Sequence, residues 1–567
     1  MVEQEPLNEY NDISYDFKSR IYRVNNATRV ARITTILPLT EVNDQGNRVP
    51  LPFWIYHDAA AWLAAKHFNE RNPRIVKDLH QLTQGCDLQI NLTMRDSVFT
   101  PHNAVVQLLE ALQVPDLEQP AGLIGCVRSA VSIPLAVFSS TYELPQLSSS
   151  STSRALDSGE LYPFFGRTIP TNAADAKVLC IFFQSLGVTH FGVIYIQDEY
   201  GVYFVSDIEN EAKARNMVVL ATPIQNNADR IRAAVDILAR SEYRYFFGIF
   251  DSPTWQPVMR RAYDVGIMGT PGYTWMLSES AIEFTNEKLR LDPIKDADLV
   301  TAIHGVGYVI LEVPENEEFY TALSELPESP SMQEELISVH PEKFAFENFN
   351  LNQSTAITSQ YHLFNYDAVM SMAIAICRAD HELPTGPQIF ASFLKVRFRG
   401  ASGDVQFDLV TGSRLVDSLK YAIVNVVQKK NLIDGMTGFD STLSSLVSFA
   451  QEEPLQHVTP FIFTDGSIYP PQPLPTPALD LNLIPPRVRG FGFALFVLVS
   501  LTSIWWALFT FKYRNTPIVK ASQPFFLSMI CIGTFTMGLS ILMSGFQEPM
   551  PLSVLNFACE ANIWFFS

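Results

Sequence analysis

The sequence predicts an α/β body in two lobes, followed by an all-α membrane segment. Three features carry that reading. From about Arg29 onward, short apolar strands alternate with amphipathic helices. A proline-rich stretch spans residues 467–486. Beyond it, Gly490–Phe511 and Ala521–Phe546 run without a charged residue. Strands alternating with helices predict parallel sheets covered on both faces, and the alternation runs too long for one small sheet.

Arg32–Leu39 reads as the first strand. Ile55, Ala59 and Leu63 recur at helical spacing, and Asn72-Pro73 ends that helix because a residue before proline resists the helical conformation. Leu88–Met94 alternates at period two, as a strand does. His102–Val114 is a helix, Ala121–Val127 a buried strand, and a helix follows from Ser129. The pattern repeats downstream. Asn172–Leu186 is helical with Gly187 as its stop, Phe191–Ile196 a strand, Ala228–Arg240 a helix and Tyr245–Phe250 a strand.

The proline-rich stretch suits an extended, semi-rigid spacer. In Gly490–Phe511, twelve Leu, Ile, Val and Phe residues favour membrane insertion, by roughly 4–7 kcal/mol before the Ser and Thr costs. Both uncharged runs are long enough for a hydrocarbon core of about 30 Å. The connecting KYRNTPIVK carries Lys512, Arg514 and Lys520 and no acid, which places it in the cytoplasm and the residues before the first run outside.

Composition excludes several classes. The net charge of −19 argues against nucleic acid, whose phosphates need clustered Lys and Arg. Six scattered cysteines make neither a disulfide scaffold nor a zinc site. Walker, H-E-x-x-H and G-x-S-x-G motifs are missing, and His304 and His381 stand alone, so neither an enzyme nor a cofactor is expected. The N-terminus MVEQEPLNEYNDISYDFKSR has no apolar run of signal-peptide type.

Four segments resemble a known family. KASQPFF (Lys520–Phe526) is similar to the opening of the second transmembrane helix of class C G-protein-coupled receptors, and ACEANIW (Ala558–Trp564) to the start of the third. FRGASGDVQFDLVTGSR (Phe398–Arg414) resembles the glycine-punctuated signature of their ligand-binding region, and NYDAVMSMAIA (Asn365–Ala375) its Y-D-A helix. The likeness covers about Arg29–Asp465 and Arg487–Ser567. It is nearest the GABA-B type, because a proline spacer stands where the glutamate branch has a cysteine-rich module.

The resemblance implies a bilobed clamp of periplasmic-binding-protein type I. Residues 1–28 would precede it. Lobe I would comprise about 29–167 and 306–422, and lobe II about 168–305 and 423–466. An incomplete seven-helix domain would follow at 487–567, with spans at 490–511 and 521–546 and a third begun at 555–567. The family closes its clamp on an amino-acid-like ligand, pairs as a homo- or heterodimer with another class C subunit, and engages a heterotrimeric G protein. Such a receptor sits in the plasma membrane with its ectodomain outside. The chain is thus expected to be cut off in its third helix and at its front. The rival expectations are a single-span receptor of natriuretic-peptide type, a soluble nutrient-binding protein, and a decoy or partner subunit that does not signal alone.

For the ligand, the resemblance implies that Ser129, in GCVRSAVS, binds carboxylate, that Ser151 and Thr152, in LSSSSTS, form a second hydroxyl loop, and that Tyr200, in QDEYGV, closes from the opposite lobe. Hydroxyls and N–H groups at a helix N-terminus suit a carboxylate. The same residues also read as a helix cap, a solvated loop and surface packing. Asn172 stands where the glutamate branch has an acid, and Tyr361 where the GABA-binding subunit has a glutamate. Asp251, in GIFDSPT, is the remaining acid considered as an amine partner, with a loop acid as its plainer reading. Cys86 and Cys126, at ends of strands read as neighbours, are expected to form a disulfide, or else to be two buried thiols. Cys180 and Cys377 lie on apolar helix faces. In the family, the residue matching Cys559 pairs with a loop cysteine that this chain lacks. Asn26, Asn91 and Asn352 begin glycosylation sequons, and Asn91 falls within a strand, where burial would leave it unmodified.

Overall fold

A computed structural model of the chain describes residues 20–24, 28–42, 48–115, 118–250, 252–279, 296–314, 316–326, 360–430, 437–451, 454–471, 484–547 and 550–566. Asp251, Asn26, Asn352 and most of the proline-rich stretch lie outside them. The chain divides into two compact units, Met1–Pro473 and Leu474–Ser567.

The described residues of the first unit form two large sheets and two small hairpins. The sheet of lobe I comprises β1 (Ile21–Val24), β2 (Thr28–Leu37), β5 (Leu88–Asp96), β6 (Gly122–Gly125), β7 (Gln146–Ser148) and β8 (Phe165–Arg167), with a small hairpin of β3 (Thr40–Val42) and β4 (Arg48–Pro50) beside it. The strand order is β1-β2-β6-β7-β8, and β5 joins the other edge of β2. β5 alternates buried and exposed residues, as an edge strand with one covered face does. Asn91 lies on its exposed face, so strand position does not bury this sequon. The lobe's core is centred on helix Gln360–Arg378, which is buried on nearly every side and packs against helix Pro52–Asn69.

Lobe II comprises β9 (His190–Ile196), β10 (Val218–Ile224), β11 (Tyr245–Ile249), β12 (Thr274–Leu277) and β13 (Gly307–Glu312). After a hairpin of β14 (Arg397–Gly400) and β15 (Gly403–Gln406), it continues with β16 (Lys420–Lys430), β17 (Thr437–Val447) and β18 (Leu455–His457). The order is β10-β9-β11-β12-β13-β16-β17-β18. The expected parallel sheet is found only over β9–β13. The last three strands are antiparallel and extend it into a mixed sheet. The lobe boundary at 306 is also corrected. β13 is a central strand of lobe II, with Tyr308 paired to Leu277 on one side and Val424 on the other. The chain therefore leaves lobe II after Glu312 and returns at Lys420.

The disulfide is Cys86–Cys377, not Cys86–Cys126. The register explains this. β2 lies between β5 and β6, pairing Arg29 with Leu88 and Ile36 with Gly125. Cys86 and Cys126 therefore lie near opposite ends of β2, roughly 30 Å apart at about 3.3 Å per residue. Cys377, at the end of the central helix, comes to Cys86 with its Cα 5.5 Å away. Cys126 and Cys180 are buried free thiols, and Cys531 and Cys559 lie in the second unit.

Among its described residues that unit has two helices long and apolar enough to cross a membrane, Pro486–Lys512 and Pro524–Ser544, with the short helix Pro517–Ala521 between them and a further helix at Leu552–Phe566. The first two bury only 11% of their apolar windows. Ser500, Ser503, Gly538 and Ser540 are among the residues buried where the helices meet. Small residues allow such close approach in membranes.

Candidate functional site

In a sheet of parallel strands, ligands bind beyond the carboxyl ends. In lobe I those ends are Cys126 after β6, with helix Ser129–Thr141, and the serine run after β7. The run is a buried, hydrogen-bonded seam rather than a solvated loop. Ser148 Oγ donates to the Cys126 carbonyl (2.7 Å), and Ser149 Oγ lies 2.9 Å from His57 Nε2 and 3.2 Å from Asn365 Oδ1. Ser151 is fully buried, with its hydroxyl within reach of Ser132 Oγ (2.8 Å) and the carbonyls of Cys126 and Val127 (both 3.1 Å). Its side chain holds the seam together. Ser129 is buried too, and its Oγ accepts from the Ser153 N–H (3.1 Å), so it joins helix to seam. Thr152 has no side-chain hydrogen bond among the described residues and is 8% exposed, which leaves its hydroxyl available.

Arg167, at the end of β8, fixes the seam from beneath. Its guanidinium donates to the carbonyls of Ser151 (3.0 Å) and Ser153 (2.8 Å) and to Ser413 Oγ (2.8 Å), and pairs with Asp157. The two motifs of the resemblance meet nearby. Asp367 of the Y-D-A helix accepts from the N–H groups of Ala401 (2.7 Å) and Ser402 (2.9 Å). Arg414 donates to Ser402 Oγ (2.5 Å) and to the carbonyls of Asp404 (2.6 Å) and Thr168 (3.1 Å). A Cβ at Gly400 would stand 2.1 Å from Asp367 Oδ1, so only glycine fits there.

Lobe II brings an acidic, tyrosine-rich floor. Glu279 follows β12 by two residues. It accepts from Gln360 Nε2 (2.6 Å) and from the Tyr361 hydroxyl. Burial raises its pKa to about 7, against the two hydrogen bonds, which lower it. Asp175, on helix Asn172–Ser185, is raised well above the usual carboxylate range by burial and then by the Glu279 charge. Tyr421 of β16 is fully buried beside both acids, and its hydroxyl has no hydrogen-bond partner among the described residues. Tyr200 opens helix Glu199–Ala214 close enough for its charge to act on Tyr361.

Besides the Gln360–Glu279 bond, other contacts join the lobes directly. Ser153 Oγ donates to the Glu199 carbonyl (2.8 Å), and Arg154 pairs with the buried Asp207 (2.9 Å). Burial pushes the Asp207 pKa up to about 6. The cleft is thus polarised, with hydroxyls and arginines on the lobe I side and carboxylates and tyrosines on the other.

Residues 74–429 match the family described as receptor family ligand binding region. The chain belongs to this receptor family. Among its relatives are metabotropic glutamate receptor-like protein E of Dictyostelium discoideum, 21% identical over 59% of this chain and 38% of that protein, and glutamate receptor 2.9 of Arabidopsis thaliana, 22% identical over 71% and 41%. The metabotropic glutamate receptor of Drosophila melanogaster is 27% identical over 19% of the chain and 11% of its own length. The chain spans about two fifths of the length of the first two. The family match and the metabotropic relatives support an ectodomain of class C receptor type.

Of the residues expected in this receptor-family cleft, Ser129, Ser151 and Thr152 stand along one seam, and Tyr200 and Tyr361 meet on the other side. Asp251 lies outside the described residues. Asp175 and Glu279 were missed. The available signals were positional: Glu279 stands just past a strand's carboxyl end, and Asp175 stands one helical turn after Asn172, which sits within 3.5 Å of it.

Proposed function

We propose that this chain acts as a class C G-protein-coupled receptor of GABA-B type, a binding protein rather than an enzyme, sensing an amino-acid-like ligand by clamp closure. The observation that carries this is the polarity of the cleft. Ser129, Thr152 and the amino end of the Ser129 helix suit a carboxylate, and Glu279 with Tyr361 and Tyr200 suits an ammonium. The two ends of such a ligand bridge the lobes, so binding favours the closed state. Two membrane-length helices behind a basic connecting loop favour a multi-pass receptor with its ectodomain outside the cell. A single-span receptor leaves Pro524–Ser544 unexplained. Dimerisation with a second class C subunit and coupling to a heterotrimeric G protein complete the proposal.

The test is thermal melting of the full chain in lipid nanodiscs with a panel of α- and γ-amino acids. A saturable upward shift that is lost in both Thr152→Val and Glu279→Gln is expected. Failure of every amino acid to shift a cooperative melt overturns the reading.

A further inference from the structure

The cleft floor holds more carboxyl groups than one ammonium needs. Asp175 is 7% exposed, and its Oδ1 has no hydrogen-bond partner among the described residues. A buried carboxylate normally pairs with a cation or a full set of donors, and an exception calls for an explanation. Its one side-chain contact, Asn172 Nδ2, is long at 3.5 Å. The Tyr421 hydroxyl, fully buried beside it, likewise has no partner among the described residues. Glu279 has Gln360 and Tyr361, both neutral.

Protein cations do not fill this space among the described residues. Arg414 is the one base whose charge reaches the cluster, at Tyr421, and it is committed to Ser402, Asp404 and Thr168. Arg154 and Arg167 stand on the lobe I side, paired with Asp207 and Asp157. A ligand with a second carboxylate would meet two acids here.

We infer that the cleft selects an amino acid with a cationic side chain, of the lysine or ornithine class, with one ammonium at Glu279 and the second at Asp175 and Tyr421. This rests on the receptor reading of the cleft and narrows its ligand. An acidic ligand of glutamate type is disfavoured by repulsion at the floor. A γ-amino acid with one ammonium leaves Asp175 without its counter-charge.

The experiment is equilibrium binding to the full chain in nanodiscs with four probes: L-lysine, L-ornithine, L-norleucine, which keeps the chain length but lacks the side-chain amine, and L-glutamate. Lysine or ornithine should bind at least tenfold tighter than norleucine and glutamate. Asp175→Asn should reduce that preference to below threefold while norleucine binding stays within threefold of wild type. A damaged fold would instead weaken all four probes together. If norleucine or glutamate binds as tightly as lysine, or the preference survives in Asp175→Asn, this inference fails and the receptor reading stands. If a cooperatively melting chain binds none of the four, nor any other amino acid, both fail.

Discussion

Glu279 should make the protein less stable and its ligand tighter as pH rises, two effects of one proton. Its carboxyl titrates near 7 in the fold against a usual value of 4.5. A carboxyl whose folded pKa is raised holds its proton after the unfolded chain has lost it. Its contribution is therefore nil below pH 4.5, and folding weakens progressively between 4.5 and 7 and stays weakened above. At about 1.4 kcal/mol per pH unit the full effect is about 3 kcal/mol. Glu279→Gln removes the charge and keeps an acceptor for Tyr361 and Gln360. The variant should match wild type near pH 5 and exceed it by about 3 kcal/mol at pH 8. For the larger unit this is about 3 °C in melting temperature, at about 2 cal/mol/K of unfolding entropy per residue. An ammonium needs the ionised form, so wild-type affinity should rise about tenfold between pH 6 and 8, while the variant stays weak and flat. Melting curves and binding isotherms at pH 5, 6, 7 and 8 test both. A variant less stable than wild type by the same amount at every pH would refute the reasoning, because the residue would then matter for packing alone.

Three other outcomes are expected. A non-reducing peptide map should join Cys86 to Cys377, and replacing both by serine should lower stability by about 2–5 kcal/mol in denaturant titrations; a Cys86–Cys126 peptide would contradict the assigned register. Arg167→Met leaves Asp157 and two seam carbonyls without their donor, so about 3–5 kcal/mol of stability should go, together with ligand binding; unchanged binding would mean that the seam does not shape the site. Gly400→Ala forces a methyl against the Asp367 carboxylate, and about 1–3 kcal/mol should be lost by the same titration, whereas a neutral result would mean that the Asp367 turn relaxes freely.

The parts of the fold legible in the sequence were those set by local period. Helix Ala228–Arg240 and strand Leu88–Asp96 follow directly from their apolar spacing, and the two long uncharged runs coincide with the apolar helices. What local pattern does not contain is strand order. Pairing Cys86 with Cys126 assumed that successive strands are neighbours, and β2 lies between them. The serine run looked like a polar loop because its partners, His57, Asn365 and Arg167, come from three distant segments. Glu279 sits in a short S-E-S sequence that is unremarkable in one dimension. Its importance arises only when Tyr361, 82 positions later, is folded against it.

The ectodomain's cysteines have a practical consequence. Two are tied to each other, and the remaining two, Cys126 and Cys180, are buried, with the Cys180 thiol pushed up to about 12 and that of Cys126 raised further, both by burial. Thiolate is the reactive form, so the two lobes are silent to maleimide and iodoacetamide dyes. Once Cys531 and Cys559 are replaced by serine, one cysteine placed on each lobe, at exposed Val137 and Val202 for example, becomes an addressable pair. Energy transfer between two dyes there would report the angle of the clamp in single molecules, on a background free of native labelling.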